Sequence, residues 1–373
     1  MRIDSIKAKN FRNLTGDAGE MNLEFGRGVN ILCGANAQGK TNIIEAVYFS
    51  ATAHSHRTST TRDMIAFGQE FAAIRAVVGR GLFKGDKADK GSNRLDVLLR
   101  SAGRTVSKRA SVNGVGIERL SDLLGVLYCV IFSPEDLNLI KSGPAERRRF
   151  MDMELCQVNR VYYFELKEYH KILRQRNALL KSLLKDPKSQ LIETLDLWDT
   201  ALAERGERIA IMRRAYIQGI SALAAKIHAG LCKEELSAVY KSSAEPGELA
   251  ERLRKNRKRD IMTGATSVGV HKDDVAFLLD GLDSRTYGSQ GQQRTAALSI
   301  KLAEVALIRR DKGESPVLLL DDVFSELDRH RQDQLLDAIN GIQTIISCTT
   351  ADNLSAIKQA DRFLVQGGRV CYA

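Results

Sequence analysis
The chain has 373 residues, 43% hydrophobic and 27% charged, with 56 Lys and Arg against 46 Asp and Glu for a formal net charge of +10. That length admits two domains or one large domain carrying an insertion, and the composition is that of an ordinary globular protein. No stretch approaches the roughly 18 to 20 uninterrupted apolar residues of a membrane-spanning helix. Met1-Arg2-Ile3-Asp4-Ser5-Ile6 sets an acid where a signal peptide begins its apolar run, so a cytoplasmic location and no membrane partner are expected. The basic excess favours a polyanionic partner. Six scattered cysteines (33, 129, 156, 232, 348 and 371) form no Cys-x-x-Cys pair and read as small buried thiols rather than a zinc site or disulfide framework.

In chain order, residues 21–25 alternate as a half-buried strand, and 29–33 form a continuous apolar run broken only by Asn30. Short β-type runs follow at 74–78, 95–99 and 110–112, the last before the turn pair Asn113-Gly114, and 84–92 reads as a loop. After Pro144 helix formers dominate to about residue 260. Tyr216, Ile220, Leu223, Ile227 and Leu231 give one helix an apolar stripe. Asp186-Pro187 predicts a break between two antiparallel helices, each arm about 40 residues or on the order of 60 Å long. β character returns at 275–279, 317–320, 344–347 and 363–372, with Gly367-Gly368 as a hairpin turn.

Gly34-Ala35-Asn36-Ala37-Gln38-Gly39-Lys40-Thr41 matches G-x-x-x-x-G-K-[ST] in full, between an apolar strand and a helix beginning Asn42-Ile43-Ile44. Glycines let the backbone N–H groups turn inward onto phosphate oxygens, and the following helix adds its positive N-terminal end. Lys40 is placed for the β- and γ-phosphates, and the Thr41 hydroxyl for Mg²⁺. The pattern predicts a nucleoside triphosphate site.

The run Val317-Leu318-Leu319-Leu320-Asp321-Asp322 is a buried strand ending in two acids. Beside a phosphate loop, Asp321 suits Mg²⁺ and Asp322 suits orienting or deprotonating the attacking water. Ser289 reads as the N-cap of a helix starting Gln290-Gly291-Gln292, a helix N-terminus of the kind a γ-phosphate docks against. Arg147-Arg148-Arg149 and residues 254–259 are the densest basic clusters, suited to neutralising DNA phosphates, while aromatics, 6% of the chain, are not interleaved with them.

In this order, with a helical insertion between the halves, these features resemble the ABC-type ATPase head of the SMC and Rad50 branch, and most closely the RecF family of bacterial recombination mediators. The resemblance is carried by Lys9-Asn10-Phe11-Arg12-Asn13-Leu14, the phosphate loop, Phe132-Ser133-Pro134-Glu135-Asp136-Leu137 and Arg147-Arg148-Arg149-Phe150-Met151-Asp152. It continues through Gly269-Val270-His271-Lys272-Asp273-Asp274, residues 287–294 and Leu320-Asp321-Asp322-Val323-Phe324-Ser325-Glu326-Leu327-Asp328. It spans essentially the whole chain.

The resemblance implies an α/β ABC-type P-loop ATPase head with a β-rich N-terminal subdomain and an inserted helical lobe. The expected divisions are 1–145 and 261–373 for the head and 146–260 for the lobe. It implies ATP and Mg²⁺ as cofactors and a weak, DNA-stimulated ATPase that dimerises head to head when ATP-bound. The dimer would clamp DNA at gaps and single-strand junctions, work with RecR and RecO, and support RecA loading, repair, replication restart and SOS induction. Lys40, Asp322, Gln290 and Ser289 are the expected catalytic residues, and Thr41 and Asp321 the metal ligands. Nucleotide contacts are expected from Gly34, Ala35, Asn36, Ala37, Gln38, Gly39, Lys40, Thr41 and Asn42, from Arg12 and Asn13, and from Ser289, Gly291, Gln292 and Asp328; the 58–62 stretch is expected near the base. Three departures stand out. The insertion is far shorter than an SMC or Rad50 arm, Asp322 stands where most ABC heads carry Glu, and Cys348-Thr349-Thr350 stands where transporters place a histidine. The first and third of these count against a tether between distant DNAs and against a transporter subunit, and the second predicts slow turnover.

Overall fold
The computed structural model describes residues 1–16, 19–58, 60–79, 91–103, 105–186, 190–349, 357 and 359–373. The strands are β1 (Arg2–Lys9), β2 (Glu20–Glu24), β3 (Val29–Cys33), β4 (Phe71–Gly79), β5 (Asn93–Ala102), β6 (Thr105–Val112), β7 (Val115–Gly116), β8 (Cys129–Phe132), β9 (Leu236–Lys241), β10 (Asp274–Leu279), β11 (Leu282–Asp283), β12 (Val317–Asp321), β13 (Thr344–Cys348), β14 (Ala360–Gln366) and β15 (Arg369–Tyr372). The helices are α1 (Lys40–Thr52), α2 (Asn138–Lys141), α3 (Pro144–Val158), α4 (Arg160–Lys185), α5 (Leu195–Leu231), α6 (Leu249–Thr263), α7 (Ser284–Tyr287), α8 (Gln290–Lys312) and α9 (Arg329–Ala338). They fall into two compact units, Met1–Asp136 with Glu304–Ala373, and Leu137–Ala303.

The first unit holds two sheets among the described residues, ordered β2-β1-β4-β5-β6-β7 and β15-β14-β3-β13-β12-β8. The first is antiparallel. In the second, β14, β3, β13, β12 and β8 are parallel, and only the edge strand β15 runs against its neighbour. Parallel strands are covered on both faces, which is why β8, β12 and β13 are buried at every residue and read as unbroken apolar runs. Helix α1 touches β13 and β12 of one sheet and β4 of the other. Eleven of its 13 residues are buried, as a helix enclosed between two layers requires. The Gly367-Gly368 turn joins β14 to β15 as expected, and Asn113-Gly114, both with positive φ, joins β6 to β7.

The second unit is not the uninterrupted helical insertion expected from composition. Its first arm is two helices: Asn159 ends α3 and caps α4, its side chain accepting from Val161 N and Tyr162 N. Asp186 does end α4; Pro187 lies outside the described residues. Helix α5 has 37 residues, about 55 Å at 1.5 Å per residue. Its buried face runs through Ile209, Arg213, Ile217, Ile220, Ala224 and His228, so of the expected stripe only Ile220 is fully enclosed. The face is displaced because Arg213 and His228 are buried with hydrogen-bond partners, which apolar periodicity does not register. Strand β9 interrupts the helices, pairing with β10 and packing on α5. That pairing carries β10, β11, α7 and the start of α8 into this unit, so its limits, Leu137 and Ala303, differ from the expected 146–260.

Buried ion pairs hold this unit together. Arg176, fully enclosed, donates to Asp199 (2.7 Å), Asp260 (2.8 Å) and the Thr266 hydroxyl (2.8 Å). Arg213 donates to Tyr162 Oη, the Val270 carbonyl and Asp152. His271 lies between Tyr169 Oη (2.7 Å) and the Thr266 carbonyl (3.0 Å), and burial pushes its imidazole down to about 4.

Candidate nucleotide site
The phosphate loop leaves the carboxyl end of β3, and Asp321 ends β12, with only β13 between them. The crevice beyond the carboxyl ends of parallel strands is where such sheets take ligands. Gly34 has no room for a side chain, since a Cβ would sit 2.3 Å from the Val365 carbonyl oxygen. Gly39 caps α1 at φ 115°, a conformation that excludes other residues. The β14–β15 turn braces the loop: Gly368 N donates to Gln38 O (2.9 Å) and Gly367 N to Gln38 Oε1 (2.7 Å).

Lys40 is 4% exposed, its ammonium held by the carbonyls of Gly34 (2.6 Å) and Ala35 (2.9 Å). The cation is thus fixed within the loop at the N-terminus of α1, where helix dipole and ammonium favour an anion together. Thr41 Oγ1 donates to Asp321 Oδ1 at 2.9 Å, so the two expected metal ligands are already together. Burial raises the Asp321 carboxyl above its ordinary value, with Asp322 and Glu135 adding to the effect, while bonds from Ser347 and Thr41 pull it back. A carboxylate so desolvated gains from a cation. Among the described residues no three His, Cys, Asp or Glu side chains cluster to hold a metal alone. One carboxylate and one hydroxyl suit Mg²⁺, which takes its remaining ligands from phosphates and water.

Ser347, not singled out in the sequence, joins the two acids. It pairs in register with Asp321 across β12 and β13, donates to Asp321 Oδ1 (2.7 Å) and accepts from Asp322 N (2.9 Å). Asp322 lies in the left-handed region at φ 52°, a strain of roughly 1 kcal/mol or more that the Ser347 bond helps hold.

Of the other expected residues, Asn13 joins the loop, donating to the Ala37 carbonyl (3.3 Å) and accepting from Asn42 (2.7 Å), which accepts from Arg57 (3.0 Å). Arg12 forks onto buried Glu45 at 2.8 and 2.9 Å, so its guanidinium is committed to α1 rather than turned to the loop. Burial would raise the Glu45 carboxyl, yet bonds from Arg12 and Ser55 hold it below its ordinary range. Of residues 58–62, Ser59 lies outside the described residues, and Thr58 donates to Asp63. Asp328 caps α9 through Arg331 N (3.0 Å) and is exposed.

In the second unit, Ser289 precedes α8 and is exposed, as is Gln290. Ser289 N donates to Gln292 Oε1 (2.8 Å), and Gln292 N donates to Ser289 Oγ (3.3 Å). This is a capping box, which leaves the helix N-terminus outward and ordered. The basic clusters separate sharply. Arg147 is buried and bidentate to Asp274, and Arg148 donates to the Asp273 carbonyl, so both are structural. On α6, Arg254, Lys255, Lys258 and Arg259 are exposed, while Arg257 turns inward to Asp196 and Asp199. Cys33, Cys129 and Cys348 are buried as expected, but Cys156 and Cys232 are partly exposed and Cys371 is exposed; all six are free thiols. No helix among the described residues is long and apolar enough to cross a membrane.

A family model described as the RecF/RecN/SMC N terminal domain matches residues 2–368. The chain is 46% identical over 351 residues to the DNA replication and repair protein RecF of Lachnoclostridium phytofermentans, covering 94% of this chain and 93% of that protein. The protein of the same name from Clostridium botulinum is 38% identical over 380 residues, 99% of each chain. The fold superposes on a solved structure of the recombination mediator protein RecF-ATP in the RecFOR pathway with TM-score 0.89 and 34% identity, covering 100% of this chain and 97% of that one. The Smc head domain with an extended coiled coil from Pyrococcus furiosus shares the fold at TM-score 0.55 and 16% identity, covering 100% and 95%. With the family pattern matched nearly end to end, the chain belongs to the RecF family, within the RecF/RecN/SMC N-terminal domain group, and carries the α/β head fold of ABC-type ATPases.

Proposed function
We propose that the chain is an ATP-driven switch that pairs head to head with a second copy and clamps DNA, hydrolysing ATP slowly to release it. The observation that carries the reading is the joining of Thr41, Asp321 and Ser347 beside a buried, loop-held Lys40 at the carboxyl edge of one parallel sheet. The similar structure's description as RecF-ATP supports ATP as the nucleotide.

In this reading the 34–41 backbone, Lys40 and the N-terminus of α1 hold the phosphates, and Asn13 and Asn42 order the loop's outer side. Thr41 and Asp321 are the protein ligands of Mg²⁺, which when bound supplies charge neutralisation at the β- and γ-phosphates. Asp322 orients the attacking water; its carboxylate is one methylene shorter than glutamate, so turnover is slow. Ser289, with Gln290 and the Gly291 and Gln292 N–H groups, meets the γ-phosphate held by a second copy, and Asp328 lines the same seam. The exposed basic face of α6 contacts duplex phosphates. The relatives' names, a DNA replication and repair protein and a recombination mediator in the RecFOR pathway, support a part in repair and replication. Within that reading the clamp works at gaps and single-strand junctions with RecR and RecO and serves RecA loading, replication restart and SOS induction.

The test is anisotropy of a labelled duplex with Mg-ATP or Mg-ADP between about 50 and 200 mM salt. The reading expects tighter binding in ATP and steep weakening with salt. Equal affinity in both nucleotides, or no salt dependence, contradicts it.

A further inference from the structure
The residue proposed to touch the second copy's γ-phosphate, Ser289, sits on an exposed helix end, where its own capping box fixes it only locally. A dimer seam needs that end held from outside. Gln292, whose Oε1 accepts from Ser289 N, sends its Nε2 in the other direction, to Glu234 Oε1 at 2.9 Å.

Glu234 lies in the short link between α5 and β9, and both sides of that link are anchored. On one side, Cys232 N donates to the His228 carbonyl (2.9 Å), and Cys232 Sγ lies 3.0 Å from His228 Nε2. His228, 1% exposed, bonds through Nδ1 to Ser299 Oγ at 2.9 Å. Ser299 donates onward to the Thr295 carbonyl, so its oxygen is left to accept from His228. On the other side, Glu235 N donates to Asp280 Oδ1 (2.8 Å), and Asp280 N returns a bond to the Glu235 carbonyl (2.9 Å). Gln292 and Ser299 are seven residues apart on α8, two turns along one face. The end of α5 and its link therefore grip α8 at two points, the outer one next to Ser289. The Gln292 bond is also the foremost influence lowering the Glu234 carboxyl, followed by a bond to its own backbone and one from Cys232.

We infer that Glu234 is the positioning residue for the nucleotide-facing end of α8, setting Ser289 through Gln292 without touching nucleotide itself. This rests on the reading that Ser289 meets a phosphate held by another copy. A net hydrogen bond is worth a factor of roughly five in an equilibrium constant, and a dimer holds two such contacts.

The experiment is sedimentation of the full chain against protein concentration in Mg-ATP, for wild type, Glu234→Leu, Glu234→Gln and Ser289→Arg. Fluorescent-nucleotide binding at dilution and the melting midpoint are measured alongside. Glu234→Leu should raise the half-dimerisation concentration on the order of tenfold to thirtyfold. Nucleotide affinity and melting midpoint should stay unchanged, and Glu234→Gln, which keeps the acceptor, should restore most of the dimer. Wild-type dimerisation of Glu234→Leu while Ser289→Arg stays monomeric overturns the positioning role and leaves the sandwich reading standing. Normal dimerisation of Ser289→Arg removes the sandwich reading and this inference with it. A lowered midpoint or weakened nucleotide binding in Glu234→Leu, not restored by Glu234→Gln, marks a structural residue and also overturns it.

Discussion

Replacing Ser347 with Ala tests the site at a residue that no sequence motif singles out. The change removes a 2.7 Å bond to the Asp321 carboxylate and the 2.9 Å acceptor for Asp322 N, while Thr41 keeps its own 2.9 Å bond to the same Asp321 oxygen. A hydrogen bond to a charged group is worth about 1.5–3 kcal/mol, which realised fully in the transition state is a factor of roughly 10 to 150. With Thr41 retained, a loss of roughly tenfold to a hundredfold in single-turnover ATP hydrolysis is expected. Losing one of the two bonds that hold the Asp321 carboxyl down raises it further, and a protonated acid is a poorer Mg²⁺ ligand. The deficit should therefore deepen as pH falls, and more Mg²⁺ should be needed to reach half the maximal rate. Nucleotide affinity measured in chelator should be unchanged, because Ser347 makes none of the loop's own contacts. If Ser347→Ala hydrolyses ATP at the wild-type rate with the wild-type Mg²⁺ and pH dependence, Asp321 is not the metal ligand and the site is wrongly assembled.

Other outcomes follow from the same geometry. Lys40→Arg should bind labelled nucleotide yet lose turnover, because the bulkier fork cannot take the place of an ammonium gripped by two loop carbonyls; normal hydrolysis would falsify the phosphate role. Arg176→Met should lower unfolding free energy by about 3–5 kcal/mol in a urea titration, since Asp260 stays buried without its cation while Asp199 keeps only Arg257. The unfolded chain takes up the His271 proton near 6.5, the native chain only near 4. Its stability contribution is thus whole above about pH 6.5 and disappears as pH falls toward 4, about 3 kcal/mol in all. Urea midpoints against pH for wild type and His271→Gln should differ in slope across that window and nowhere above it. Replacing Arg254 and Lys258 with Gln should weaken duplex binding and flatten its salt dependence by about two counterions while leaving the melting midpoint in place; unchanged binding moves the DNA face off α6.

What the sequence disclosed was the chemistry that sits in contiguous stretches. Residues 34–41 and the strand ending at Asp321 are each legible alone because their geometry is local: a turn, a helix end, a strand end. Ser347 was invisible because a serine closing an apolar strand has no distinguishing spacing. Only the β12–β13 register, which sets it opposite Asp321, gives it a role. Glu234 was hidden in the same way, since its link to Ser289 runs through a side chain 58 positions away. The run Arg147-Arg148-Arg149 misled in the opposite direction. Successive helix residues point about 100° apart, so a charge run cannot say which members face water, and here two of the three face Asp273 and Asp274. Strand β9 was overlooked because six residues with a partly exposed face are easily absorbed into flanking helices. The displaced face of α5 has a related cause, as Arg213 and His228 stand where an apolar pattern expects leucine.

All of this turns on whether nucleotide held by one copy becomes the surface that a second copy recognises. The most direct measurement is the mass of the full chain in solution with saturating Mg-ATP, compared with Mg-ADP, for wild type and Ser289→Arg. Two chains per particle in ATP, one in ADP, and one under both conditions for Ser289→Arg is the predicted pattern. A wild-type protein that stays a single chain in Mg-ATP while gripping duplex DNA at full strength contradicts it.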